Sequence, residues 1–404
     1  MMRVSTNQMF MQSSTYMARN ESDLNEQVAY LSSGKKVLTA KDDAVSYGTL
    51  TGYKDELSNI DQFRRNIVQA ENRNSLIEGS FSSAQDILNQ VKTTFIQANN
   101  GSMSDDDRAA LGEQLKQNLK QILDIANARD ETGGYVFGGY QIDKQPFLLQ
   151  PDNSVVYQGD DGIRELKISK SVEVPLNQSG NEAFLKADNP IGDFVGVYNT
   201  NNSGVSVNRA VITDRGNYVD GSNYTFDFTD VNNDGNLELS VTDNGGVNLT
   251  TIDPYVAGQT VAFNGMEVNI DGTPLPGDQL ELAPQEDVSV FQTIKDAIDW
   301  VSRTGTITNT EQHAVDYGHI LSDINASLNH ISTRQGEAGI NLQLIDSQSN
   351  FHADNELLME QGRSVIEDLD FATAVTQFEQ SKVALQAAQQ TYATLQGLSL
   401  FNYI

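Results

Sequence analysis

Asp230-Val231-Asn232-Asn233-Asp234-Gly235 sets three oxygen-bearing side chains at alternate positions and a glycine at the sixth, the D-x-N-x-D-G opening of a calcium loop. Carboxylate and amide oxygens at that spacing suit a hard divalent cation. The twelfth position of such a loop carries a bidentate Glu, and here it is Val241, with Glu238 or Asp243 as substitutes. The flanks read as strands, and an Asp-Gly hairpin turn explains the same residues more simply. Asp230, Asn232 and Asp234 are thus a weak calcium candidate, and no cofactor is expected. The four histidines, His313, His319, His330 and His352, lack metal-ligand spacing and are expected to be solvated on polar helix faces. Gly133-Gly134-Tyr135-Val136-Phe137-Gly138-Gly139-Tyr140 is glycine-rich without the lysine of a phosphate loop, and reads as a tight helix-to-strand connection. There is no HExxH, Walker or GxSxG motif. With no acid, base, nucleophile or metal set converging, the chain is not expected to be an enzyme.

The residues whose spacing does point to a task are apolar. Phe10, Met17, Leu24 and Leu31 recur every seven residues, with Val28 thickening the stripe. At the other end Phe371, Phe378, Leu385 and Tyr392 do the same, with Ala374, Ser381, Ala388 and Leu395 three residues after each. A narrow heptad stripe on a helix must meet another helix to leave water. The matching seams imply an out-and-back chain whose ends meet. Two single-stripe helices make a thin core, so neighbouring copies are expected to cover them, ordering ends that are disordered in the free monomer.

Between these ends lie longer elements. The three-four spacing from Ile60 through Phe63, Ile67, Ala70, Asn74, Ile77, Phe81, Ala84, Leu88, Val91 and Phe95 to Ala98 predicts a rod of about 58 Å. Ser104 with Asp107 three residues on resembles a capping box opening a second helix that runs to about Ala128. From about 150 to 284 the period changes to two, in runs such as Ser154–Tyr157, Glu165–Ile168, Tyr224–Phe228, Leu237–Val241 and Met266–Ile270, punctuated by Asp-Gly turns. Helical spacing returns at about Val288, and after a loop at Gly305–Thr310 a seam runs from Tyr317 to Ile345. The fold class is therefore α+β: a long antiparallel helical bundle or coiled-coil shaft formed by both chain ends, with an inserted β-rich domain. The expected division is 1–40 with 365–404 as a terminal assembly domain, 41–149 with 285–364 as a shaft, and 150–284 as the outer insertion.

The chain of 404 residues carries 55 acidic against 26 basic side chains, a formal charge of −29 that disfavours nucleic acid and anionic lipid. Cysteine is absent, which excludes disulfides and thiolate chemistry. No run is long and apolar enough to span a bilayer. The first sixteen residues are polar and lack the pattern of a cleavable secretory signal, so export is expected to take another route.

Leu31-Ser32-Ser33-Gly34-Lys35-Lys36-Val37 with Ala40-Lys41-Asp42-Asp43-Ala44, and Ile366-Glu367-Asp368-Leu369-Asp370-Phe371-Ala372 with the heptads after it, resemble the N- and C-terminal signatures of the bacterial flagellin family. The resemblance covers about 1–150 and 285–404. Tyr135–Tyr140 with Gln145-Pro146-Phe147, and the ending Leu398-Ser399-Leu400-Phe401-Asn402-Tyr403-Ile404, are similar to the members that join hook to filament. Flagellins commonly close on Arg instead. The resemblance implies a secreted structural adaptor at the hook-filament junction, passed unfolded through the flagellar type III export apparatus with an export chaperone. Its implied partners are the proximal junction protein, flagellin and copies of itself in a ring, with no nucleic acid and no membrane. The rival readings are flagellin itself and a secreted calcium-binding adhesin. The expected assembly interface is Phe10, Met17, Leu24, Leu31, Phe371, Phe378, Leu385 and Tyr392.

Overall fold

A computed structural model of the chain describes residues 2–219, 221–303 and 309–401. Seven helices are described: α1 (Met2–Ser33), α2 (Ala44–Ala98), α3 (Asp105–Ala126), α4 (Gly180–Phe184), α5 (Val290–Ser302), α6 (Thr310–Glu367) and α7 (Phe371–Phe401). Most of the expected Gly305–Thr310 loop, and the last three residues of the chain, lie outside the described residues. Two compact units result, Met1–Arg65 with Ser347–Ile404, and Asn66–Asp346. The architecture is α+β, with long helices from both chain ends and a β-rich insertion.

α2 is longer than the seam that announced it, with 55 residues. Its start is fixed by Asp43, whose carboxylate accepts the N–H groups of Val45 and Ser46, both at 3.0 Å. That satisfies donors a helix start leaves orphaned. The three-four spacing extends back from Ile60 through Leu57, Tyr53 and Leu50, so the seam could have been followed earlier than the start at Ile60. α3 opens as expected at Ser104, whose hydroxyl accepts the Asp107 N–H at 3.2 Å. The reciprocal arm differs from a capping box: the Asp107 carboxylate, one methylene short of Glu, takes the Ser104 hydroxyl at 2.7 Å.

In the unit Asn66–Asp346, α2, α3, α5 and α6 share a core of Phe81, Leu88, Phe95, Leu115, Ile122, Ile294, Trp300, Ile324 and Ile331. An aromatic cluster extends it, with Phe147 and Phe184 each packed on Phe291 at ring-centroid distances of 5.0 and 5.8 Å. The insertion has its own core between two antiparallel sheets. One runs in the order Asn248–Ile252, Glu238–Asp243, Tyr224–Thr229, Gln279–Pro284, Phe194–Thr200; the other Thr260–Phe263, Met266–Asp271, Ser206–Ile212. Tyr224, Phe226 and Phe228 turn inward on alternate positions and meet Val261, Phe263, Val268 and Leu280. Period two is what buries one face of a strand. Three two-stranded ribbons lie apart from these sheets: Phe147–Leu149 with Val155–Tyr157 against the helical core, Glu165–Lys167 with Glu173–Pro175, and Ala187–Asp188 with Asp287–Val288.

The histidines depart from expectation. None is solvated: His352 is 4% exposed and stacks on Phe63, and His313 stacks on Trp300 at 4.1 Å. His330 contacts the Glu182 carbonyl at 2.9 Å, and His319 the Tyr198 hydroxyl at 3.0 Å. Residues three and four apart share a helix face, so a polar-looking stretch can still aim a ring at a neighbouring element. One buried ion pair stands out. Arg73 of α2, 4% exposed, pairs with Asp130, which also accepts the N–H groups of Thr132 and Gly134 at 2.8 and 3.0 Å. Asp130→Ala would leave Arg73 buried without its main carboxylate. We expect a loss of about 3–5 kcal/mol, measured by denaturant unfolding.

Candidate assembly interface

The seams expected from sequence face each other. α1 and α7 pair antiparallel, with Phe10 meeting Tyr392 edge-on at 5.9 Å near one end and the Phe371 ring against Gly34 at the other. On α1 the half-buried positions include Phe10, Met17, Leu24 and Leu31; on α7 they are Phe378, Ser381, Leu385, Ala388 and Tyr392, with Ala374 fully buried. Phe371 is 56% exposed despite its contact, and Val28 is 46% exposed on the flank of the stripe. Small residues at every second seam position let the helices approach but cover little area. Met9, Met11, Tyr16, Val375 and Val383 are also exposed. The pair therefore leaves apolar surface in water on both helices.

Where α1 gives way to α2, and α6 to α7, the two linkers meet. Gly34 turns the chain with φ of 70°, a conformation glycine adopts without strain. The Lys36 N–H then donates to the Glu367 carbonyl at 2.8 Å, and the Leu369 N–H to the Gly34 carbonyl at 3.0 Å. Between them Glu367 is buried, its carboxylate held by the ammonium groups of Lys35 at 2.6 Å and Lys54 at 3.0 Å. Burial alone would raise the Glu367 carboxyl, but the hydrogen bonds from Lys35 and Lys54 outweigh it and hold it below the usual 4.5. Asp370 then starts α7 by accepting from the Ala372 and Thr373 N–H groups. Asp42 ties the other linker, accepting from Leu38 and Thr39 at 2.9 and 2.8 Å. Beside the joint the Tyr53 side chain of α2 reaches the backbone of α6, where a Cβ on Gly362 would lie 2.9 Å from the end of its ring.

Sequence reasoning selected the seams and missed the joint, although Lys35 and Glu367 both stood in stretches already singled out. Their partnership spans 332 residues, and no periodicity reports it. At the calcium candidate the Asp230 carboxylate accepts the N–H groups of Asp234 and Gly235, both at 3.2 Å, and Asn233 and Gly235 take φ of 52° and 83°. The loop is a turn closed on its own backbone. Among the described residues no group of three or more His, Cys, Asp or Glu is placed to hold a metal ion. The Tyr135–Tyr140 stretch is a structural turn, with Val136 and Phe137 buried in the helical core.

Two paired terminal helices, joined where their linkers cross and followed inward by longer helices, define a subunit built to assemble. The chain belongs to the bacterial flagellin family: residues 4–142 match its N-terminal helical region and residues 321–404 its C-terminal helical region, together more than half of the chain. Within that family it is similar to flagellar hook-associated protein 3 of Escherichia coli, 22% identical over 401 residues and covering 99% of each chain. A crystal structure of flagellar hook-associated protein-3 from Legionella pneumophila matches with a TM-score of 0.66 at 28% identity, covering 77% of this chain and 96% of that one. FlgL from Xanthomonas campestris shares the fold, with a TM-score of 0.64 at 24% identity, covering 77% and 99%.

The joint predicts an acid response. A folded-state pKa held below 4.5 contributes stability above about 4.5 that is lost as pH falls through it. Glu367→Gln should cost about 1–3 kcal/mol at neutral pH. Amide protection factors at Lys36 and Leu369 should fall in acid for the wild type and change much less in the variant.

Proposed function

We infer that this chain is a structural adaptor subunit of the bacterial flagellum that joins hook to filament. The observation that carries the inference is likeness to hook-associated protein 3 across 99% of both chains, not across the terminal helices alone. It works as an extracellular component at the hook-filament junction, and its family is one of structural proteins.

Its mode of action follows from the unsatisfied terminal pair. We assign the interface between subunits to Phe10, Met17, Leu24, Leu31, Phe371, Phe378, Leu385 and Tyr392. Apolar surface left over by α1 and α7 is covered by copies of the chain in a ring, by the proximal junction protein on one side and by flagellin on the other. Each such contact is head-to-tail, so one exposed seam receives the next subunit. In this reading 1–40 with 365–404 form the assembling layer, 41–149 with 285–364 the shaft, and 150–284 the outer part. Delivery is through the flagellar export apparatus with an export chaperone.

Flagellin itself is the second reading, favoured by 23% identity to flagellin A of Vibrio anguillarum over 398 residues. Antibody to residues 150–284, viewed on isolated flagella by electron microscopy, separates the two. The adaptor gives a narrow band at the end of the hook, whereas label along the whole filament would establish flagellin. Phe378→Asp should leave the β-rich insertion folded by circular dichroism and reduce incorporation at least tenfold. Normal incorporation of that variant would remove Phe378 from the interface.

A further inference from the structure

Where strand Phe194–Thr200 rests on α5 and α6, a cavity of about 200 Å3 is lined by acidic groups from both helices. Asp296 lies on α5 and Arg303 at its C-terminal cap; Asp316, His319 and Asp323 share one face of α6. Tyr198 enters from the strand. Its hydroxyl accepts the Val207 N–H at 2.8 Å, leaving its proton for His319 Nε2 at 3.0 Å. Arg303 is committed to Asp316 at 2.5 Å, and Lys295 to Asp299 at 2.6 Å. Asp296 accepts only from the Gln292 amide at 2.8 Å, and among the described residues nothing donates to Asp323. Two carboxylates thus share one cavity while the nearby cations are engaged elsewhere.

The geometry points to a proton-operated latch: one proton on the Asp296–Asp323 pair lets α5 and α6 close beneath strand Phe194–Thr200, and ionisation of both carboxylates loosens that seat. Like charges in a shared, partly desolvated site repel, and the cheapest relief is to keep one of them protonated. Burial, then the charge of Asp296, pushes Asp323 up to about 7, and burial raises Asp296 as well. Burial also holds His319 below its usual 6.5, so its ring stays neutral while Asp323 titrates. The Tyr198 phenol, pushed up by burial to about 12, stays protonated throughout. A carboxyl whose folded pKa is raised binds a proton that the unfolded chain releases. Its stabilising contribution is therefore whole below the ordinary value of 3.8 and is lost as pH rises toward and through 7. The seat is tight in mildly acidic medium and slack in alkaline medium, the opposite response to that of the Glu367 joint.

The test uses the full chain and its Asp323→Asn variant, in which the amide keeps the shape of the protonated carboxyl. At pH 8 the variant should melt about 3 °C or more above the wild type, and at pH 4 the two should coincide. Amide protection factors along strand Phe194–Thr200, corrected for the intrinsic rise of exchange with pH, should fall from pH 5 to pH 8 in the wild type and stay level in the variant. Equal melting at pH 8, or a variant that melts lower there, would overturn the latch. Should the variant fail to fold, the carboxyl 13C shift of Asp323 in the wild type decides: a midpoint between 6 and 8 supports the latch and one below 5 refutes it.

Discussion

The burial of Glu367 is the interaction on which the terminal unit depends. A carboxylate taken out of water costs several kcal/mol unless charge and hydrogen bonds replace its hydration. Here two ammonium groups do so, from Lys35 beyond α1 and Lys54 on α2. The backbone bonds of Lys36 and Leu369 fix the same crossing. These contacts set where α6 ends, where α7 begins, and the direction in which both terminal helices leave. The seam of α1 and α7 is too thin to do this itself, because among the described residues only Ala374 within it is fully buried. The joint supplies the registry and the seam follows it.

The two units are built on different physical terms. Residues 66–346 hold large cores, one aromatic and aliphatic between helices and one between sheets. Such packing gives a single rigid arrangement. The unit of residues 1–65 with 347–404 has long helices, few buried side chains and many exposed apolar ones, among them Phe351, Leu357, Leu358 and Val365 on α6. Exposed apolar residues in such number mark surfaces awaiting a partner. A subunit whose middle is finished and whose ends are unfinished suits an assembly in which the ends carry the contacts. The high negative charge keeps such a molecule soluble before it assembles.

Two glycines shape the terminal unit. Gly34 turns the linker, and Gly362 lets the Tyr53 ring approach the backbone of α6. The acidic residues work mostly as local fasteners. Asp42, Asp43, Asp130 and Asp370 each satisfy backbone N–H groups at a turn or a helix start.

The sequence by itself determined what depends on near neighbours. Heptad spacing determined the facing stripes of α1 and α7. Period two determined strands such as Tyr224–Thr229, and Ser104 the start of α3. These signals are local because helix and strand periods are properties of a few consecutive residues. Tertiary structure alone decided the rest. The start of α2 rests on a capping Asp43, and strands such as Phe194–Thr200 and Ser206–Ile212 are set by pairing with strands far along the chain. The partnering of all four histidines, the Arg73–Asp130 pair and the Asp296–Asp323 cavity required elements to be placed side by side. Lys35 and Glu367 were visible from the start as polar residues at two helix ends; only the fold, by closing 332 residues of chain between them, made them one site.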